Sequence, residues 1–233
     1  MDYKKLVLHH YPATRSVRAR WMLLETIGTD FELRRVNLYG GAQYEPEFLA
    51  LNPNHNVPAL EIHWSDGNVQ VLLESAAIVE WLADSFPEKG LAPPLDEPRS
   101  RAEYLRYLHF GATWMDMMLW QIRAHRHLLK SDEADPRTVE RYENKFRNEC
   151  EPQIADCLHQ GDYILGNDFS AADVIIGYNV FWARGYGLCQ DEVFGSYLSR
   201  LKARTAMQQA LNDLADFAIE APESAPDRAI FTG

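Results

Sequence analysis

Cysteine is scarce in this chain of 233 residues, and none precedes Cys150. Cys150, Cys157 and Cys189 are an odd number without a C-x-x-C pair, a pattern that suggests neither a disulfide framework nor a zinc site. Cys150 and Cys157 are seven apart on a predicted helix and share a face, the setting of buried, reduced thiols. Long apolar runs are also missing: none approaches the ~18 residues that a membrane helix needs. The opening stretch "MDYKKLVLHHY" has too few apolar residues for a signal-peptide core, so a cytoplasmic protein is expected. Positive charge is in deficit. With 23 Lys and Arg against 34 Asp and Glu, the net charge of −11 argues against nucleic acid or an anionic membrane as a bulk partner, because both demand clustered cations. The local exception is Arg15, Arg18 and Arg20, whose ordinary reading is a solvated helix face. A small acidic ligand beside them would not be repelled.

What is present is a soluble-protein composition, 46% apolar and 24% charged, in a chain long enough to bury a substantial core. "KLVLHH" reads as a short buried strand; Val17, Trp21 and Leu24 then recur at helical spacing, and Gly28 stands where a C-cap is wanted. "FELRRVNL" is a second strand. "VPALEIHW" is a third, half-buried, with Leu60 and Ile62 alternating against Glu61 and His63, and Asp66-Gly67 turns it into "VQVLL" as a fourth. "SAAIVEWLADSF" is a helix with Ile78, Leu82 and Phe86 on one face. The predicted order is strand, helix, strand, short helical stretch, hairpin, helix.

Then the composition changes. "FPEKGLAPPLDEP" holds four prolines and one glycine in thirteen residues and reads as a linker. Beyond it every signal is helical. Leu108, Ala112, Met115, Leu119 and Ile122 mark a long amphipathic helix; Val139, Tyr142, Phe146 and Cys150 mark a second, interrupted at Pro152. Ser170 and Asp173 have the form of a capping box, with Phe169 facing Val174 as a hydrophobic staple. Ile230 and Phe231 are expected to dock the C-terminal tail. The expected domains are 1–84, a linker over 85–98, and an all-helical 99–233.

A small α/β domain, a proline-rich linker and an all-α domain, in that order, resemble the cytosolic glutathione transferases. The opening "LHHYPATRSVRARWMLLE" is similar to the family's strand-turn-helix with a hydroxyl at the helix start. "NPNHNVPALE" resembles its N-P-x-G-x-V-P signature, and "LLESAAIVEWLADSFP" its E-S-x-A-I segment. "FSAADV" and "YLSRLKARTAMQQAL" resemble later segments, though Thr205 stands where proline is usual. The resemblance spans residues 4 to 211.

It implies a thioredoxin-like first domain, a cis peptide before Pro58, and glutathione as co-substrate without a metal. Val57 would offer its backbone to the peptide-like ligand. Ser75, opening a helix, would hold the γ-glutamyl carboxylate, and Glu74 would accept from the γ-glutamyl amine. Asn56 stands where relatives carry Lys or Gln and would reach the glycyl carboxylate as a neutral donor; His55 replaces the common glycine. A plain N-cap at Ser75 and a plain turn at Pro58 are the bland alternatives, outweighed by the order of the motifs. Among the hydroxyls at the turn, the ranking for the sulfur is Thr14, then Tyr11, then Ser16.

The family's cysteine-based thiol-transfer members are poor models here. The all-helical domain would form the second-substrate pocket for an apolar electrophile, with Tyr107 and Trp114 assigned to it from an aromatic and methionine-rich stretch whose other members are core or subunit interface. A homodimer is expected, since the family's active site sits beside a subunit interface. The leading reading is a detoxifying glutathione transferase that activates the thiol as thiolate. A glutathione-dependent disulfide reductase and a non-catalytic glutathione-binding protein are the alternatives.

Overall fold

The computed structural model describes residues 2–214. They fall into two compact units: 2–90 together with 205–214, and 91–204. The expected tail contacts of Ile230 and Phe231 lie outside the described residues.

The first unit runs β1 (Tyr3–His10), α1 (Ser16–Ile27), β2 (Glu32–Arg35), α2 (Pro46–Leu51), β3 (Ala59–Trp64), β4 (Val69–Leu73) and α3 (Ser75–Ser85). The sheet order is β2-β1-β3-β4, with β1 and β2 parallel and the other pairs antiparallel. This is the thioredoxin-like architecture. Leu6, Val7 and Leu8 are buried on both faces of β1, as the consecutive apolar run requires of a covered central strand. Gly28, at φ +64°, ends α1 in a conformation that a β-carbon would resist. The second strand is shorter than its sequence run and ends at Arg35; the next residue, Val36, still donates its N–H to the His10 carbonyl of β1 at 2.9 Å.

The face of β3 expected to meet water is partly covered. Glu61 is buried, held by His9 Nε2 at 2.6 Å, Arg34 at 3.2 Å and His63 at 3.1 Å, while the His9 ring packs edge-on against Phe48 of α2. Burial alone would raise this carboxyl; the contacts with His9, Arg34 and His63 outweigh it and hold the group below its usual range.

The second unit is all-helical. In it α4 (Pro98–Phe110) and α5 (Asp116–Arg123) are joined through a wide, π-type turn at Gly111–Met115, and a second such turn, Ala124–Leu128, follows α5. A β-carbon on Gly111 would stand 2.9 Å from the side chains of Ile175 and Ile176, so glycine is what admits the helix that carries them. That helix, α8 (Ala171–Arg184), is buried along nearly its whole length, and its Asn179 donates to the Gly111 carbonyl at 2.7 Å. The remaining helices are α6 (Pro136–Glu149), α7 (Glu151–Gln160) and α9 (Glu192–Lys202), with the break at Cys150 as Pro152 predicts. The capping box is present: Ser170 N–H donates to Asp173 Oδ2 at 2.9 Å, and Asp173 also accepts from Ile164 N–H and Tyr197 Oη, each at 2.9 Å.

The division falls after Gly90, and the last described helix, α10 (Thr205–Ala210), belongs with the first unit, where it packs on α1. Thr205 occupies the first helical position, the place at which a proline would be equally at ease.

Candidate active site

Sheet register explains why motifs far apart in sequence meet. Ala59 pairs with His9 on one side and with Leu73 on the other. The turn that follows β1, the segment that precedes β3 and the start of α3 after β4 therefore share one end of the sheet. Thr14, Val57, Pro58, Glu74 and Ser75 all sit there.

Ser75 is the first residue of α3, with the backbone of Glu74 as its N-cap, so the free N–H groups of the helix open at this point. Ser75 is buried, and its Oγ accepts from Arg18 Nη1 at 3.2 Å. A guanidinium can only donate, so the Ser75 hydroxyl keeps its own proton for an acceptor. Arg18, a helix cation with an exposed face as its ordinary reading, is 1% exposed and adds fixed positive charge beside a helix N-terminus. Arg20 departs from that reading in the same way: it is buried and bonded to Asp213, to Asn212 Oδ1 at 2.8 Å and to the Ala210 carbonyl. Both positions lie on the face of α1 turned inward, which three arginines at short spacing do not disclose. Glu74 is exposed at φ +69°.

The Val57–Pro58 peptide is cis, as the resemblance implied, and both residues are buried. Just before it, Asn52 Nδ2 donates to the carbonyl of Asn56 and to its side-chain Oδ1, both at 2.8 Å. With Oδ1 so engaged, the Nδ2 of exposed Asn56 is what remains to offer an anion. Asn52 has no motif of its own beyond the N-P pair and was not singled out in the sequence. His55 has φ +44°, in the left-handed region that favours glycine, and its ring lies 5.0 Å from that of Tyr44.

The three hydroxyls at the turn differ sharply. Tyr11 is 1% exposed, its ring edge-on to Tyr39 and under the Arg35 guanidinium. Ser16 is fully buried and accepts from the Tyr11 N–H at 3.1 Å. Thr14 is half-buried, and its Oγ1 lies 2.7 Å from both the Tyr11 carbonyl and Ser16 Oγ.

In the helical unit, Tyr107 is half-buried against Cys157, its phenol pushed up to about 12 chiefly by burial and by that contact. Trp114 is 40% exposed, donates to Glu149 at 3.1 Å and carries Lys145 over its ring. All three cysteines are free; burial is the largest cause lifting Cys150 to about 12 and Cys157 and Cys189 above their ordinary value. Thiolate chemistry at neutral pH has no support from these positions.

Fold and site together define a thioredoxin-like domain with a cis-proline end that carries hydroxyls and an anion-binding helix start, joined to an all-α unit. The glutathione S-transferase N-terminal domain model matches residues 5–84. Glutathione S-transferase 1 of Schizosaccharomyces pombe is 31% identical over 180 residues, covering 73% of this chain and 74% of that protein. A disulfide-bond oxidoreductase of Escherichia coli is 28% identical over 194 residues, 82% and 87% of the two chains. A crystal structure of a Burkholderia graminis glutathione transferase, with two glutathione molecules bound per subunit, superposes with a TM-score of 0.77 at 25% identity, covering 89% of this chain and 88% of that one. The chain belongs to the glutathione S-transferase family. Among the described residues no helix is long and apolar enough to cross a membrane, and no cluster of ligands suited to a metal ion occurs.

Proposed function

We propose that this protein is a glutathione transferase of the hydroxyl type, which binds glutathione at the shared end of the sheet and holds its sulfur as thiolate for attack on an electrophilic small molecule. The observation that carries the reading is the meeting of Thr14, Val57, Glu74 and Ser75 at one sheet end, with the buried Arg18 behind Ser75. Ser75 and the free N–H groups of α3 take the γ-glutamyl carboxylate; Glu74 takes the amine; the Val57 backbone pairs with the cysteinyl unit; Asn56 Nδ2 takes the glycyl carboxylate.

A free thiol near pKa 8.5 is mostly protonated at neutral pH. Thr14, the turn hydroxyl that keeps exposed surface, donates a charge-assisted bond to the thiolate and nothing comparable to the thiol. That difference, on the order of 1.5–3 kcal/mol, corresponds to roughly one to two pKa units. The positive end of α1 adds about 0.3–1 kcal/mol. Together they bring the thiol to about 6–7, where thiolate predominates.

The electrophile is assigned to the helical unit near Tyr107 and Trp114, both of which keep exposed surface. The protein is expected to act in the cytoplasm as a homodimer, and Trp120, Leu128 and Leu129 supply exposed apolar area for an interface. Disulfide reduction is the second reading, favoured by the similarity to the E. coli disulfide-bond oxidoreductase and by a Pseudomonas putida neighbour that holds glutathione disulfide, at a TM-score of 0.75 and 25% identity over 89% of this chain and 90% of that one. Turnover of an aryl halide and of a mixed disulfide, measured side by side with glutathione affinity, decides. Aryl conjugation supports the proposal; reduction alone supports the second reading; tight binding with neither activity leaves a binding protein.

A further inference from the structure

Behind Thr14 a chain of hydrogen bonds runs into the interior. Thr14 Oγ1 is 2.7 Å from Ser16 Oγ, Ser16 Oγ is 2.7 Å from His10 Nδ1, and His10 Nε2 is 2.9 Å from Asp213 Oδ2. Ser16 is fully buried and His10 is 1% exposed. Asp213 comes from the segment after α10, which belongs with this unit.

Donor and acceptor capacities fix the imidazole end of this chain. Burial, the largest influence, holds the His10 pKa below its ordinary value despite the neighbouring Asp213, so the imidazole is neutral at pH 7. Burial also pushes Asp213 upward, but its bond with His10 and the charges of His10 and Arg20 outweigh that and keep it a carboxylate. A carboxylate only accepts, so the single imidazole proton sits on Nε2 and Nδ1 is an acceptor. The Ser16 hydroxyl then has two acceptors, His10 Nδ1 at 2.7 Å and the Tyr11 carbonyl at 3.0 Å, and the Thr14 hydroxyl has two, Ser16 Oγ and the Tyr11 carbonyl, each at 2.7 Å. In the arrangement that serves transfer, Ser16 donates to His10 while its oxygen accepts from the Tyr11 N–H and from the Thr14 hydroxyl. The Thr14 oxygen, which accepts the Ser16 N–H at 3.3 Å, retains a second lone pair, and Thr14 is only half-buried.

We propose that this chain takes up the proton of the bound glutathione thiol: the S–H proton passes to Thr14 Oγ1, the Thr14 proton to Ser16 Oγ, and the Ser16 proton to His10 Nδ1. The inference rests on Thr14 meeting the sulfur. One S–H bond breaks, one N–H bond forms, and no proton enters the solvent. In the product every bond is reversed and still made: His10 donates to Ser16, Ser16 to Thr14, and Thr14 to the thiolate. The imidazolium is then flanked by the Asp213 carboxylate on one side and, through two hydroxyls, by the thiolate on the other. Arg20 of α1 opposes its charge, whereas Arg35, the β2 partner of His10, points its guanidinium over the Tyr11 ring. His10 and Asp213 are positioning residues; Thr14 touches the sulfur.

The test counts protons. Thiolate is read from ultraviolet absorbance on adding glutathione at pH 7, and proton release from calorimetric heats in buffers of different ionisation enthalpy, with S-methylglutathione as the blank. The expected result is thiolate formation with close to no proton released, together with a nitrogen NMR shift of His10 from neutral to imidazolium that S-methylglutathione does not produce. Because His10 is fully buried and its replacement threatens the fold, Asp213→Asn serves as the variant. It leaves S-methylglutathione affinity unchanged, raises the bound thiol's pKa by a unit or more, and restores release of one proton per thiolate. One proton released per thiolate in the unaltered protein, or a His10 that stays neutral, overturns the relay and leaves the proposed function standing. Glutathione that binds without forming thiolate overturns both.

Discussion

Replacing Ser75 by alanine removes one hydroxyl, with two consequences that can be measured apart. Ser75 is the first residue of α3, and the N-cap is the backbone of Glu74, so the substitution removes no side-chain cap. Alanine is also the better helix former, by several tenths of a kcal/mol. Two things are lost: the acceptor of Arg18 Nη1, 3.2 Å away, and the hydroxyl proton that this geometry leaves free for a carboxylate. The first loss falls on stability, about 1–3 kcal/mol for an acceptor withdrawn from a buried donor. The second falls on affinity. A hydrogen bond to a charged partner contributes roughly 1.5–3 kcal/mol, so the dissociation constant for glutathione should rise about 10- to 150-fold. Calorimetric titration well below the variant's unfolding temperature separates the two. A second ligand, 4-aminobutyryl-cysteinyl-glycine, lacks the γ-glutamyl α-carboxylate and completes the cycle: its affinity should be the same for both proteins. An unchanged glutathione dissociation constant would refute the reasoning, and so would an equal loss with the shortened peptide, which would trace the effect to a distorted site.

Thr14→Ala should raise the pKa of the bound thiol by one unit or more and leave affinity at high pH nearly intact, while Thr14→Ser keeps most activity; a pKa that rises instead in Tyr11→Phe would move the role to Tyr11. His10 has a native pKa below its unfolded value of about 6.5, so on acidification the unfolded chain binds a proton that the native chain refuses, and stability falls below about pH 6.5 by at most ~1.4 kcal/mol per pH unit from this group. Asp213, with its native pKa lowered, adds stability that is lost only at more acidic pH. Urea unfolding from pH 7.5 to 5.5 should show a steeper decline for the parent than for a folded His10→Gln protein, and equal slopes would contradict the assignment. Joint replacement of Cys150, Cys157 and Cys189 by alanine should leave turnover per folded molecule intact, since burial keeps all three protonated; a folded but inactive variant would overturn the hydroxyl mechanism. Sedimentation at micromolar concentration should show a dimer, and a species of only 26.8 kDa would count against it.

Local patterning reached far into this protein. The apolar run of β1, the Asp66-Gly67 turn, the break at Pro152 and the box of Ser170 with Asp173 are rules that act over a few residues, so each was legible in the sequence. Motif order likewise placed Thr14, Pro58 and Ser75, because a backbone turn and a helix start are local objects. The long-range pairings were not legible. Arg18 and Arg20 look like surface cations in a one-dimensional pattern; only the packing of α1 against α3 and α10 turns them inward, toward Ser75 and Asp213. Glu61 alternates as an exposed residue should, yet His9 of β1 and Arg34 of β2 enclose it. Asp213 stands 203 positions from His10 and carries no motif. Burial of a charge depends on which partner the fold delivers, and that partner is chosen by the summed packing of whole elements, which no short stretch of sequence contains.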